Sequence, residues 1–120
     1  MVRNVKPISG ARVAEEGTQA KRFILPRYVI QRIREISPEY GSQGRAIQVG
    51  MELLTRIQFH PVPFNESLKR GIEAADDRIG MTYKLVPRSI ALIDKFSEVY
   101  ETRAGVFEGM LTLLSRKFIA

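Results

Sequence analysis

The sequence predicts an α+β, mainly helical protein in which two strand–helix–helix units share one antiparallel ribbon. Three observations predict it. The chain repeats itself at a shift of 60 residues, each copy opens on a short stretch of period-two hydrophobicity, and each then shows two stripes at helical spacing. One strand and two short helices leave strand edges open and bury little, so a single unit cannot close a core. Two units together can, with their strands paired as a two-stranded antiparallel ribbon over four core helices, an intramolecular pseudo-dimer.

The repeat aligns 21–58 with 81–118 without a gap. Identical pairs are Leu25/Leu85, Ile30/Ile90, Ile33/Ile93, Ser37/Ser97, Tyr40/Tyr100, Leu53/Leu113, Leu54/Leu114 and Arg56/Arg116. Phe23/Tyr83, Ser42/Thr102, Ile47/Phe107 and Met51/Leu111 keep their chemistry. The matches fall largely on apolar and capping positions, where a common fold constrains side chains most.

In the first copy Phe23 and Leu25 alternate with Arg22 and Ile24; in the second, Tyr83 and Leu85 alternate with Thr82 and Lys84. Such alternation marks a strand with one buried face. Pro26 and Pro87 follow, each suited to the first turn of a helix. Val29, Ile30, Ile33 and Ile36 then line one face of the first helix, and Ile90, Ile93 and Phe96 line its counterpart. Pro38 ends the first of these, because the residue before a proline is pushed out of the α region. Ser42 and Thr102 read as N-caps of the next helix in each copy. Behind them run Ala46, Ile47, Gly50, Met51 and Leu54, and Val106, Phe107, Met110, Leu111 and Leu114, at identical spacing. Gly50 falls on this stripe, as a close helix–helix approach would require.

The chain therefore divides into an N-terminal arm (1–20), a first unit (21–57), a linker (58–80) and a second unit (81–120). Pro61 and Pro63 after His60 predict a stiff turn in the linker. Asn65 reads as the cap of a short helix over 66–79, with Leu68, Ile72, Ala75 and Ile79 on its apolar side.

Composition narrows the function classes. The 120 residues are 44% hydrophobic and 27% charged, as in an ordinary globular domain. No apolar run approaches the roughly 20 residues that span a bilayer, and the N-terminus lacks the apolar core of a signal peptide. With no cysteine, disulfides and thiolate metal sites are excluded. These features predict a cytoplasmic protein. One histidine, no phosphate-binding glycine loop and a solvated Asp76–Asp77 pair offer no catalytic constellation, cofactor site or metal site. The net charge of +6 favours a polyanionic partner, and its excess lies mainly in the two repeated segments.

The strand alternation, the Leu25–Pro26 junction, the Ser42 and Thr102 caps and the helical stripes that follow resemble the ribbon-helix-helix (Arc/Met repressor-like) superfamily. The tandem arrangement resembles that of conjugation-accessory members of the superfamily. The resemblance implies β-ribbon reading of double-stranded DNA in the major groove. Its outward strand positions imply Arg22, Ile24, Thr82 and Lys84 as base contacts. It implies phosphate contacts at the starts of the second helices, Ser42, Gln43, Gly44, Arg45, Thr102 and Arg103, where free N–H groups and the helix dipole favour anions. Arg27 and Arg88, flanking the strands, are further phosphate candidates. The function so implied is sequence-specific binding, for transcription regulation or for DNA processing on a plasmid or other mobile element, with self-association on adjacent sites. The competing expectation is a protein-interaction or structural module that keeps the fold without specific DNA binding; Ile24 on the polar face and the weakly charged arm are its main support.

Overall fold

The computed structural model describes residues 17–57, 62 and 65–119, with side chains to 115. The arm residues 1–16 and the turn at His60, Pro61 and Pro63 lie outside the described residues. Two strands, β1 (Gln19–Pro26) and β2 (Arg78–Leu85), pair antiparallel as a two-stranded sheet. Four helices accompany them: α1 (Arg27–Ile36), α2 (Gln43–Ile57), α3 (Pro87–Tyr100) and α4 (Arg103–Ile119). The fold is a small, mainly helical α+β arrangement.

Both strands are longer than their alternation suggested, starting at Gln19 and at Arg78. The register sets Arg22 opposite Thr82, Ile24 opposite Gly80 and Ala20 opposite Lys84. Arg22 and Thr82 are 60 residues apart, so the ribbon is centred on a pair of equivalent positions. Phe23, Leu25, Tyr83 and Leu85 are buried, and Arg22, Ile24, Thr82 and Lys84 are exposed, as strand alternation requires. Phe107 of α4 lies beneath both strands. Its ring meets Phe23 edge-on at 5.2 Å and Tyr83 at 6.4 Å, so one aromatic side chain ties the two strands to the helical layer.

The helix starts keep the 60-residue shift: α1 and α3 begin at Arg27 and Pro87, α2 and α4 at Gln43 and Arg103. Pro38 makes the first pair differ in length. It turns the chain into a 3-10 turn at Ser37–Glu39, whereas Glu98 at the corresponding place lets α3 run on to Tyr100. The turn before each second helix needs a left-handed residue, supplied by Gly41 at φ 95° and by Glu101 at φ 71°. Both caps form: Ser42 Oγ accepts from the Arg45 amide at 3.0 Å, and Thr102 Oγ1 from the Gly105 amide at 2.9 Å.

Helices α2 and α4 cross where Gly50 faces Met110, again residues 60 apart. A Cβ on Gly50 would stand 1.9 Å from Met110 Cγ, so the glycine is the slot that the methionine fills. The close approach expected at Gly50 is therefore present. Around this crossing α1 packs on α2 and α4, α3 packs on α4 and α2, α2 approaches β2, and α4 approaches β1. These helix–helix contacts recur in both halves, whereas α1 also packs on both strands.

The linker departs from expectation. In place of a helix over 66–79 there is one 3-10 turn, Glu66–Lys69, capped by Asn65, whose Oδ1 accepts from the Ser67 amide at 3.1 Å. Gly71 and Ala74 then take positive φ, which breaks any helix, and β2 claims Arg78 and Ile79 to pair with Pro26 and Leu25. The apolar positions still face the core: Leu68 is buried, and Ile72, Ala75 and Ile79 pack against it. Arg32 of α1 fastens the segment, donating to the carbonyl oxygens of Leu68 at 2.8 Å and Arg70 at 2.7 Å.

Tyr28 was absent from the apolar stripe yet is fully buried. Its hydroxyl donates to the Glu108 carboxylate of α4, with Lys69 Nζ 5.4 Å from its ring centre. Burial first, and then the Glu108 carboxylate, pushes the phenol well above its ordinary range. Tyr83 is also buried, and its hydroxyl has no hydrogen-bond partner among the described residues; burial pushes it up to about 12. A raised folded-state value means stability present below pH 10 and lost as pH rises toward 12. Tyr83→Phe, which copies its counterpart Phe23, should stabilise the chain by about 1 kcal/mol at neutral pH. It should also reduce the loss between pH 10 and 12 by about 1–3 kcal/mol. Urea unfolding at pH 8 and pH 11 measures both; a Phe variant less stable at pH 8 would contradict the unpaired hydroxyl.

Candidate nucleic-acid interface

The ribbon presents one face to solvent, built by strand alternation from Ala20, Arg22 and Ile24 of β1 and Arg78, Thr82 and Lys84 of β2, with half-buried Gly80 between them. All four expected base-contact residues, Arg22, Ile24, Thr82 and Lys84, therefore lie on one surface. Ile24 is 52% exposed, one of two large hydrophobic side chains so placed among the described residues. The Arg22 guanidinium lies over Gly80, where a Cβ would come within 2.0 Å of Nη2. Ala20, Gly80 and Arg78 join this face although the sequence reading did not name them. Carrying the alternation two residues further back in β1 and four further back in β2 would have found them.

The start of α2 reaches the ribbon from the side. Ser42, Gln43 and Gly44 share a cleft of about 630 Å³ with Thr18, Thr82, Tyr83 and Lys84. Three of the phosphate candidates thus lie beside two of the base-contact candidates. Gly44 makes the approach possible, because a Cβ there would be 2.2 Å from the Lys84 carbonyl oxygen. Both sides of that contact are backbone, so neither yields by rotating a side chain. A glycine replaced by alanine in a helix ordinarily gains up to about 1 kcal/mol. Here Gly44→Ala should instead cost about 1–3 kcal/mol in chemical denaturation, because the helix start must back away from the strand. An alanine variant of raised stability would show that α2 does not press on β2.

The remaining cationic candidates are exposed, and Arg27, Arg88 and Arg103 are held by surface ion pairs. Arg45 and Arg103 follow the two caps, and Arg103 Nη2 donates to Asp94 Oδ1 at 3.1 Å. Arg27 follows β1 directly; its amide donates to the Asp77 carbonyl oxygen at 2.7 Å and its guanidinium stands 3.8 Å from the Asp77 carboxylate. Arg88 stands 3.6 Å from Glu52 of α2. Exposed pairs of this kind hold about 0–1 kcal/mol, so a phosphate can displace the carboxylate. Arg27 and Arg88 are not a matched pair: Pro87 corresponds to Arg27, and Arg88 corresponds to the buried Tyr28.

No group of three or more His, Cys, Asp or Glu side chains suited to a metal ion occurs among the described residues. No helix among them is long and apolar enough to cross a membrane. Comparison of the chain with protein-family models, curated proteins and solved structures gives no match.

Proposed function

We propose that the chain is a sequence-specific double-stranded DNA-binding protein whose two ribbon-helix-helix units form an intramolecular pseudo-dimer and lay the β-ribbon in the major groove. The observation that carries this reading is the outer ribbon face, where Arg22, Thr82 and Lys84 stand exposed beside the capped start of α2. Two-stranded ribbons fit the width of the major groove, and Arg, Lys and Thr supply donors for its base edges. Helix starts beside the ribbon offer N–H groups to the flanking phosphates. The pseudo-dimer draws its support from the pairs Arg22/Thr82 and Gly50/Met110, equivalent positions that meet at the centre of the ribbon and of the helical layer. A role in transcription regulation or in DNA processing on a mobile element uses the same contacts.

The full chain should bind duplex DNA with an affinity that falls as salt rises, with a logarithmic slope of about −0.9 for each phosphate neutralised. Titration of labelled random and selected duplexes over a range of salt measures this, with single-stranded DNA as control. Failure to bind any duplex at low salt rejects the reading. It would favour the protein-interaction alternative, for which the exposure of Ile24 speaks.

A further inference from the structure

The two ends of the ribbon face differ chemically although they correspond in position. On one side of the central Arg22–Thr82 pair, Ile24 lies opposite Gly80; on the other, Lys84 lies opposite Ala20. Ile24 and Lys84 are 60 residues apart, and so are Ala20 and Gly80. One end therefore offers a branched apolar side chain beside bare glycine backbone, and the other an ammonium beside a methyl. The central arginine adds to the difference. Its guanidinium lies over Gly80, so Arg22 leans toward the Ile24 end.

We infer that the ribbon reads a non-palindromic duplex core, with thymine under Ile24 in the half that Arg22 leans toward and guanine under Lys84 in the other half, one chain per core. The inference rests on the DNA-binding reading above and gives it a target. The thymine C5-methyl is the apolar group that the major groove offers, and it is the natural cover for an exposed isoleucine. Lysine donates to guanine O6 and N7, and the Arg22 fork does so bidentately. A ribbon with identical ends would read its two halves alike; Ile24 calls for an apolar methyl, whereas Lys84 calls for acceptors, of which guanine offers two.

The test begins with selection from a random duplex library by the full chain. Affinity is then measured for the selected core and for the two palindromes made by duplicating each half. Each palindrome should bind at least about fivefold more weakly, as a mismatched position does. Replacing the thymine under Ile24 by uracil removes the methyl alone. It should weaken binding about fourfold, the value of one buried methyl group, and should have no effect on the Ile24→Ala variant. Ile24→Lys, a change outside the core, should move the preference to the palindrome of the Lys84 half. A palindromic core occupied by a single chain would overturn the inference and leave duplex binding standing. So would a uracil effect that persists in Ile24→Ala, or none in the parent. A chain that binds no duplex retires both readings.

Discussion

Gly50→Met should destabilise the chain by about 1–3 kcal/mol, and Met110→Gly by about 3–5 kcal/mol. The first forces a second long side chain into a slot that Met110 already fills, since even a Cβ at position 50 would lie 1.9 Å from Met110 Cγ. The second empties the slot and adds the cost of a glycine within α4. The exchanged pair, Gly50→Met with Met110→Gly, should be better than the two single costs added together. A coupling of about 1–3 kcal/mol is expected, because the methionine then enters the same space from the opposite helix. Urea unfolding of the four proteins measures the cycle. Strict additivity would show that α2 and α4 do not meet at these positions.

This pair also disfavours other assemblies of the proposed pseudo-dimer. Two first units from different chains would bring Gly50 against Gly50 and leave a hole at the crossing. Two second units would bring Met110 against Met110 and overfill it. A first unit paired with a second fills the space once, so the difference between the copies at this position favours the mixed pairing over either like pairing.

The strands and helices were legible because each carries a pattern that its backbone imposes. Phe23, Leu25, Tyr83 and Leu85 mark a strand by parity, and the stripe through Ile47, Met51 and Leu54 marks a helix by its period. Ser42 and Thr102 were legible as caps because a hydroxyl before a helical run has a local amide to satisfy. The linker was misread for the converse reason. Leu68, Ile72, Ala75 and Ile79 have helical spacing, but strand pairing takes Ile79, and Gly71 and Ala74 adopt the left-handed region. Apolar spacing shows which residues are buried; the competition between β2 and a helix for the same residues is settled by tertiary contacts.

Long-range partners were the least legible part of the site. The placement of Gly44 against the Lys84 carbonyl joins residues 40 positions apart, and the Tyr28–Glu108 hydrogen bond joins residues 80 apart. No local pattern announces either contact. The repeat could have announced the ribbon register, since equivalent positions must face each other across a shared axis. That argument centres the ribbon on a pair such as Arg22/Thr82 but does not choose it over its neighbours. Every such register buries Phe23 and Leu25 on the same face as Tyr83 and Leu85, so the choice among them rests on tertiary packing.

Arg22→Ala and Lys84→Ala should each cost about 1–3 kcal/mol on the preferred duplex and blur the preference at one position. Both side chains stand on the exposed ribbon face, so neither loss reaches the core. Arg103→Ala should behave differently. Its guanidinium lies at the start of α4, half exposed and paired with Asp94, and on the proposed reading it meets phosphate rather than base edges. Its loss should weaken binding to all sequences alike and reduce the salt slope by about one. Removing the Arg103–Asp94 pair should change stability by about 1 kcal/mol or less, because exposed ion pairs hold little. Affinity over a range of salt for specific and scrambled duplexes, with a thermal melt of each variant, separates the two kinds of contact. Should Arg22→Ala and Lys84→Ala leave both affinities unchanged, the ribbon is not the reading surface, and Ile24 becomes the starting point for a protein partner.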